Sequence, residues 1–230
     1  MGAAQIVAHE VIGSPRVSWE DQFPSYLGED WKTEIIKTID NYEDQFCVSN
    51  ANDEEVVKLL MDQNIVAVFN EKSESGRRAL GNRSILADPR SDKMKDTINE
   101  KVKHRQWFRP FAPSILEERT SDWFEEDIKS PYMQFVVPFK RSVKEKVPAV
   151  IHFDGTARLQ TVNKSHNRWY YNFLKKWEEK SGVPILLNTS FNDREPICET
   201  PRHAIECFLK TQIDCLYFPE VNKILKKGKE

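Results

Sequence analysis

Ile65-Val66-Ala67-Val68-Phe69 is an unbroken apolar run, and a glycine- and arginine-rich stretch follows it almost at once. A short apolar run bounded by turn signals reads as a buried strand, so the rest of the chain has to supply walls around it. The stretch that follows, Glu74-Ser75-Gly76-Arg77-Arg78-Ala79-Leu80-Gly81-Asn82-Arg83-Ser84, holds three arginines and two glycines. Glycine lets a backbone come close to a ligand, and arginine offers forked donors that match phosphate or carboxylate. One reading is an oxyanion cradle at a strand end. The other is a surface loop with scattered arginines.

The remaining pattern alternates helical and extended segments. Asn52 with Glu55 has capping-box spacing, and Val56, Leu59 and Leu60 form the stripe of the helix it starts. Residues 84–87 read as a second strand. Ser91 then caps a helix marked by Met94, Ile98 and Val102. Pro110 and Pro113 forbid continuing that helix, so residues 103–114 read as an extended lead into Ile115 and Leu116. Residues 132–139, 149–153 and 159–162 read as strands, the last two joined by an Asp154-Gly155 hairpin turn. Residues 167–180 are the longest helix, with Trp169, Tyr170, Phe173, Leu174 and Trp177 as its buried face and Gly182 and Pro184 as its stop. Residues 183–187 form a strand delivering Asn188 to Asn192. Thr200-Pro201 opens a helix, and 215–218 is a last strand before a Lys-rich tail expected to fray. The fold class is α/β (α+β mixed): a twisted, mixed, open sheet with flanking helices. Residues 1–50 read as a linker that includes a short helix and an acidic helix over 30–39. Residues 51–220 read as the compact domain, and 221–230 as the basic tail.

Charge narrows the ligand class. The net charge of −2 and pI near 6.3 argue against a general nucleic-acid or membrane-surface binder. The balance is −9 over residues 1–70 (4 Lys/Arg, 13 Asp/Glu) and +5 over 71–109 (11 against 6). A local positive excess suits a small anion. The four cysteines form no Cys-x-x-Cys pair and read as reduced core thiols. No signal peptide or spanning segment is present, which predicts a cytoplasmic protein.

Four places carry candidate chemistry: Arg78 with Arg83; Lys103, Arg105 and Arg109, expected to share one face of an extended segment; Arg158 with His152 at the Asp-Gly turn; and Ser190-x-Asn192. Cations gathered this way repel one another unless an anion sits among them. The bland alternatives are pairing of Arg78 or Arg83 with Glu74 or Asp88, a solvated Lys103 cluster, and a turn that is only a turn. No nucleophile–base pair and no Walker-type loop is present, so catalysis would work by positioning anions and offsetting their charge.

At these residues the chain resembles a known family. ESGRRALGNRSILADPR (74–90), KHRQWFRPFAPS (103–114), HFDGTARLQ (152–160) and LNTSFNDREP (187–196) look like the C-terminal, YrdC/Sua5-like domain of the nodulation and antibiotic-carbamoylating (NodU/CmcH-type) O-carbamoyltransferases. The resemblance implies formation of carbamoyl-AMP from carbamoyl phosphate and ATP with release of pyrophosphate. It also implies Mg²⁺ with the ATP, for which no ligand can be named. A Kae1-type domain, in cis or as a separate subunit, would then move the carbamoyl group to a hydroxyl. Lys103, Arg105, Ser190 and Asn192 are the implied catalytic positions. Arg78, Arg83, Arg109, Arg158, His152 and Asn188 are implied around substrate and nucleotide. The Kae1-type domain is not in this chain, so residues 1–50 read as its remnant and the chain as a fragment or half of a split enzyme.

Three positions depart from the family pattern: Arg77 stands where proline is usual, Glu71 where glycine is usual, and Gln106 where glutamate is usual. Two rivals remain. One is a threonylcarbamoyl-adenylate synthase. The other is a non-catalytic nucleotide or RNA-binding module using the 103–109 cluster with Trp107 and Phe108.

Overall fold

A computed structural model of the chain describes residues 2–15 and 25–228. The strands are β1 (Cys47–Asn50), β2 (Val66–Phe69), β3 (Arg83–Ala87), β4 (Ala112–Leu116), β5 (Phe135–Pro138), β6 (Thr156–Val162), β7 (Ile185–Ser190), β8 (Cys215–Phe218) and β9 (Lys223–Lys226). They form one sheet in the order β1-β9-β8-β2-β3-β7-β4-β6-β5. β2 pairs in parallel with β8 and β4 with β6, and the other neighbours are antiparallel, so the sheet is mixed and open. The helices are α1 (Gly2–Ile6), α2 (Lys32–Asp40), α3 (Asp53–Met61), α4 (Lys93–Lys101), α5 (Thr120–Trp123), α6 (Arg168–Ser181) and α7 (Pro201–Lys210). Among the described residues no helix is long and apolar enough to cross a membrane.

The apolar run of β2 is explained by burial on both faces. Val66 and Val68 pack with α3 and α6 through Val57, Leu60, Phe173 and Trp177. Ala67 and Phe69 pack on the other face with Ile35 of α2, Ile98 of α4, and Ile205 and Phe208 of α7. Alternation along the strand therefore feeds two cores, and no position is free to be polar. One expected cap is not made: α4 starts after Asp92, with no side-chain cap, and Ser91 contributes only its carbonyl, to Met94 N. Asn52 and Glu55 complete a capping box, the Asn167 and Thr200 side chains accept from Tyr170 N and His203 N, and Gly182 closes α6 at φ 72°.

Three further expectations change. Residues 149–153 are not a strand: Pro148–Val150 is a 3₁₀ turn, and Asp154-Gly155 only returns the chain from His152 to Thr156 (His152 N to Thr156 O, 2.8 Å). The antiparallel partner of β6 is β5 instead. The Lys-rich tail does not fray at its start, because Ile224 and Leu225 are buried and β9 pairs with both β8 and β1. The segment read as a connector also supplies α2 and β1, with Ile35, Ile39 and Phe46 in the core; its stretch 16–24 lies outside the described residues. Cys198, Cys207 and Cys215 are buried free thiols, and Cys47 is exposed.

Candidate functional site

Five guanidinium groups open onto one cavity of about 420 Å³, and no carboxylate is among its lining residues. Arg77 and Arg78 come from the loop between β2 and β3, Arg105 and Arg109 from the loop between α4 and β4, and Arg158 from β6. Asn188, Thr189 and Ser190 at the end of β7 form part of the wall, with His152 from the Asp-Gly turn. Phe111, Ala112, Met133 and Val136 supply an apolar side.

The cations perturb one another. Burial, then Arg78 and Arg77, lower the Arg158 pKa, and its Nε is buried without a partner. Burial, then Arg109 and Arg158, bring Arg105 down to about 10. Arg105 is oriented by donating Nε–H to Asn99 Oδ1 (2.7 Å) and by lying over the Phe111 ring (4.7 Å). Burial lowers His152 against the opposing pull of Asp154, so its imidazole is neutral at pH 7. Its Nδ1 lies 3.1 Å from Thr156 Oγ1. Grouped guanidiniums with no counter-charge on their own wall suit an anionic ligand that accepts several charge-assisted hydrogen bonds.

The polar wall is fixed from behind. Asn188 Nδ2 donates to Ala79 O (3.2 Å), Ser114 Oγ (3.0 Å) and Gln160 Oε1 (2.8 Å). Gln160 Nε2 donates to Leu80 O (3.0 Å), and Ser114 Oγ donates to Gln160 Oε1 (2.6 Å). Side chains from β4, β6 and β7 thus hold the arginine loop against the sheet.

Three expected site residues, Arg83, Lys103 and Asn192, are not on the cavity wall. Arg83 does not line the cavity. It is fully buried, donates to Asn70 O (2.6 Å), Asn82 O (3.0 Å) and Glu71 O (3.0 Å), and lies 3.5 Å from the Phe69 ring centroid. Burial lowers its pKa to about 10. Lys103 does not line the cavity either, and residues 103–109 are not one extended strand. His104 has φ +44°, and Arg109 N donates to Gln106 O, so Lys103 turns away from Arg105. Its Nζ donates to Ser190 O (2.5 Å), Ser190 Oγ (3.2 Å), Asn192 O (2.7 Å) and Asn192 Oδ1 (2.9 Å). Ser190 and Asn192 do meet, with Oγ donating to Oδ1 at 2.6 Å, but of the pair only Ser190 reaches the cavity wall. Burial and Arg105 push Lys103 down to about 7.

The bland pairings do not form: Asp88 binds Arg90 (2.7 Å), and Glu74 binds backbone N–H groups. Gly81 approaches the fold, not a ligand. Its φ is +122°, and a Cβ there would lie 2.5 Å from Tyr170 Cδ1. Arg77 is the lining cation that motif reasoning left out; its place in the same short loop as Arg78 was the available signal. The apolar wall from Met133 and Val136 had none.

The carbamoyltransferase C-terminus family model matches residues 57–224. The chain is 48% identical over 161 residues to nodulation protein NolNO of Sinorhizobium fredii, covering 68% of this chain and 24% of that protein. It is 41% identical over 198 residues to an uncharacterized protein of Methanocaldococcus jannaschii, covering 84% and 32%. With a Synechocystis protein the identity is 36% over 249 residues, covering 94% and 40%, so the chain spans well under half the length of these relatives. Among solved structures, full-length HypF in a phosphate- and nucleotide-bound form aligns with TM-score 0.49 and 18% identity over 80% of this chain and 22% of that one. Sua5 of P. abyssi aligns with TM-score 0.46 and 11% identity over 72% and 49%. Most of the chain lies within the family match, arginine cavity included, and the protein belongs to the carbamoyltransferase C-terminal family.

Proposed function

We propose that this chain activates a carbamoyl group as its adenylate. Carbamoyl phosphate, water and ATP give carbamoyl-AMP, phosphate and pyrophosphate; a carbamate oxygen attacks the α-phosphorus, and the bond to the leaving pyrophosphate breaks. The observation that carries the reading is the set of five guanidiniums around one carboxylate-free cavity. Two phosphate-bearing substrates need cations from several directions, and charge growing on the leaving pyrophosphate is offset by donors already in place. Arg78, Arg109 and Arg158 hold the anions, Arg105 lies beside them, and Asn188 and Ser190 shape the wall. Lys103 acts through Ser190 and Asn192 by fixing the end of β7, and Arg83 fixes the loop.

Among the described residues no group of three His, Cys, Asp or Glu could hold a metal. The donor set does not fit a protein-held Mg²⁺, and any Mg²⁺ enters as part of the ATP substrate. Onward transfer to a hydroxyl is assigned to a Kae1-type domain, in cis or as a separate subunit.

The test is pyrophosphate release on incubation with carbamoyl phosphate and ATP, expected to require both. Release that needs threonine and bicarbonate instead would favour a threonylcarbamoyl-adenylate synthase. Tight RNA binding with no pyrophosphate would leave a nucleic-acid module.

A further inference from the structure

Arg77 and Arg78 sit in a loop whose base is joined by Asn70 N to Asn82 O (3.0 Å) and Asn82 Nδ2 to Lys72 O (2.8 Å), and whose legs above it are bridged by a buried carboxylate. Glu74 Oε1 accepts from the backbone N–H groups of Leu80 (2.6 Å), Asn82 (2.9 Å) and Arg83 (3.4 Å). One side chain therefore ties residue 74 to the start of β3, with the two arginines held between. The neighbouring Arg83 guanidinium directs its hydrogen bonds to the carbonyls of Asn70, Glu71 and Asn82 and not to Glu74, though the two opposite charges attract across the buried space between them. Glu74 is only 8% exposed and is absent from the cavity wall, so it neither touches a ligand nor neutralises the lining arginines. A carboxylate accepting several backbone N–H groups forms charge-assisted bonds, stronger than those of a neutral amide.

The rest of the loop's return leg is pinned independently. Leu80 O accepts from Tyr26 OH (3.0 Å) and Gln160 Nε2 (3.0 Å), and Ala79 O accepts from Asn188 Nδ2 (3.2 Å). These contacts place Ala79 and Leu80; on the outgoing leg Ser75 N donates to Ser25 O (2.5 Å), and Glu74 supplies the side-chain tie from that leg to the start of β3.

We infer that Glu74 is a positioning residue for anion binding, setting where Arg77 and Arg78 meet the ligand. The inference rests on the anion-cavity reading. It requires Glu74 to act through those two arginines and not through the fold at large.

A double-mutant cycle separates the two. Inorganic pyrophosphate is titrated calorimetrically into the wild-type chain, R77A/R78A, E74Q and the combined variant, with a thermal melt of each. Glutamine keeps an acceptor oxygen but loses the charge. E74Q is expected to weaken binding about tenfold in the wild-type background and less than about twofold once both arginines are gone, the non-additivity of groups acting as a unit. E74D, which keeps the charge one methylene short, should fall between wild type and E74Q; it carries the same cycle if the glutamine variant does not fold. An equal loss in both backgrounds overturns the inference and makes Glu74 a general structural residue, and so does no loss at all. If the wild-type chain binds no pyrophosphate, the anion-cavity reading falls and this inference falls with it.

Discussion

Two sets of cations in this chain lie close together in sequence and do different things. Arg77, Arg78, Arg105, Arg109 and Arg158 face a cavity whose lining holds no carboxylate. Arg83 and Lys103, within a few residues of members of the first set, are buried among oxygens: carbonyls for Arg83, and carbonyls with two side-chain oxygens for Lys103. The first set has no carboxylate on its own wall, which is what an anionic ligand needs. The second donates to oxygens of the fold, through both terminal nitrogens of Arg83 (its Nε is buried without a partner) and through the Lys103 ammonium, and fixes the loops that the first set stands on. Backbone oxygens can take up the donors of a buried cation without a carboxylate, although burial still lowers the pKa of both Arg83 and Lys103, so a basic motif is no evidence by itself that each of its cations meets the ligand.

The largest effect that tests this contrast is on stability at Arg83. Its side chain is fully buried against Phe69, so R83A leaves a cavity and strips donors from Asn70 O and Glu71 O. A loss of about 3–5 kcal/mol is expected in denaturant unfolding, within the range of large-to-small core substitutions. Pyrophosphate affinity of the molecules that remain folded should change little by comparison. An unchanged unfolding midpoint with binding abolished would move Arg83 into the ligand-facing set and break the division.

Arg158 should behave in the opposite way. Its neighbours Arg78 and Arg77 already disfavour its charge, and its Nε has no partner. R158A should leave the melting temperature unchanged or slightly raised, because it relieves repulsion. It should weaken pyrophosphate binding at least about tenfold, since one charge-assisted hydrogen bond contributes roughly 1.5–3 kcal/mol. A large drop in melting temperature would make Arg158 a structural cation and erase the comparison from the other side.

The same contrast explains what could be read from the sequence. Strands buried on both faces, such as β2, announce themselves because neither face tolerates a polar side chain. The helix starts at Asn52 and Thr200 depend on neighbours three residues away and are equally plain, whereas Ser91 makes no side-chain cap and the cap by Asn167 is not among the expected ones. What failed depended on distant partners. β9 is a strand because β8 and β1 flank it, although Lys223 and Lys226 bracket only two apolar residues. The Asp-Gly turn looks like a hairpin signal, yet Pro148 starts a 3₁₀ turn before it and β5 takes the place beside β6. Placing Lys103 on one face with Arg105 requires the alternation of an extended backbone, and the positive φ of His104 removes it. The convergence of several basic segments on one cavity was legible from charge; which cations face it was not, because orientation is set by side chains far away in the chain.

The smallest effect is a pH dependence confined to the second set. Burial and Arg105 bring Lys103 to about 7, while Arg105 itself stays charged up to about 10 and burial holds His152 below the ordinary imidazole value. Sulfate, which does not titrate in this range, is the suitable probe. As pH rises from 6 to 8.5, Lys103 loses a proton, its lone pair faces an oxygen of the Ser190–Asn192 turn, and that cavity wall loosens. Sulfate binding should weaken a few-fold, on the scale of roughly 1 kcal/mol for a charge near a screened anion. Stability should move the other way. The folded pKa lies below the unfolded value of about 10.4, so between about pH 7 and 10 the unfolded chain holds more protons at this position. Lys103 therefore adds to stability as pH rises across that window. K103R keeps its charge throughout and should abolish both slopes, while K103M should bind sulfate weakly at every pH. If the wild type shows no opposed slopes, or K103R retains them, the titration belongs to another group and Lys103 is a fixed crosslink, with its ammonium held by the four surrounding oxygens across the whole range.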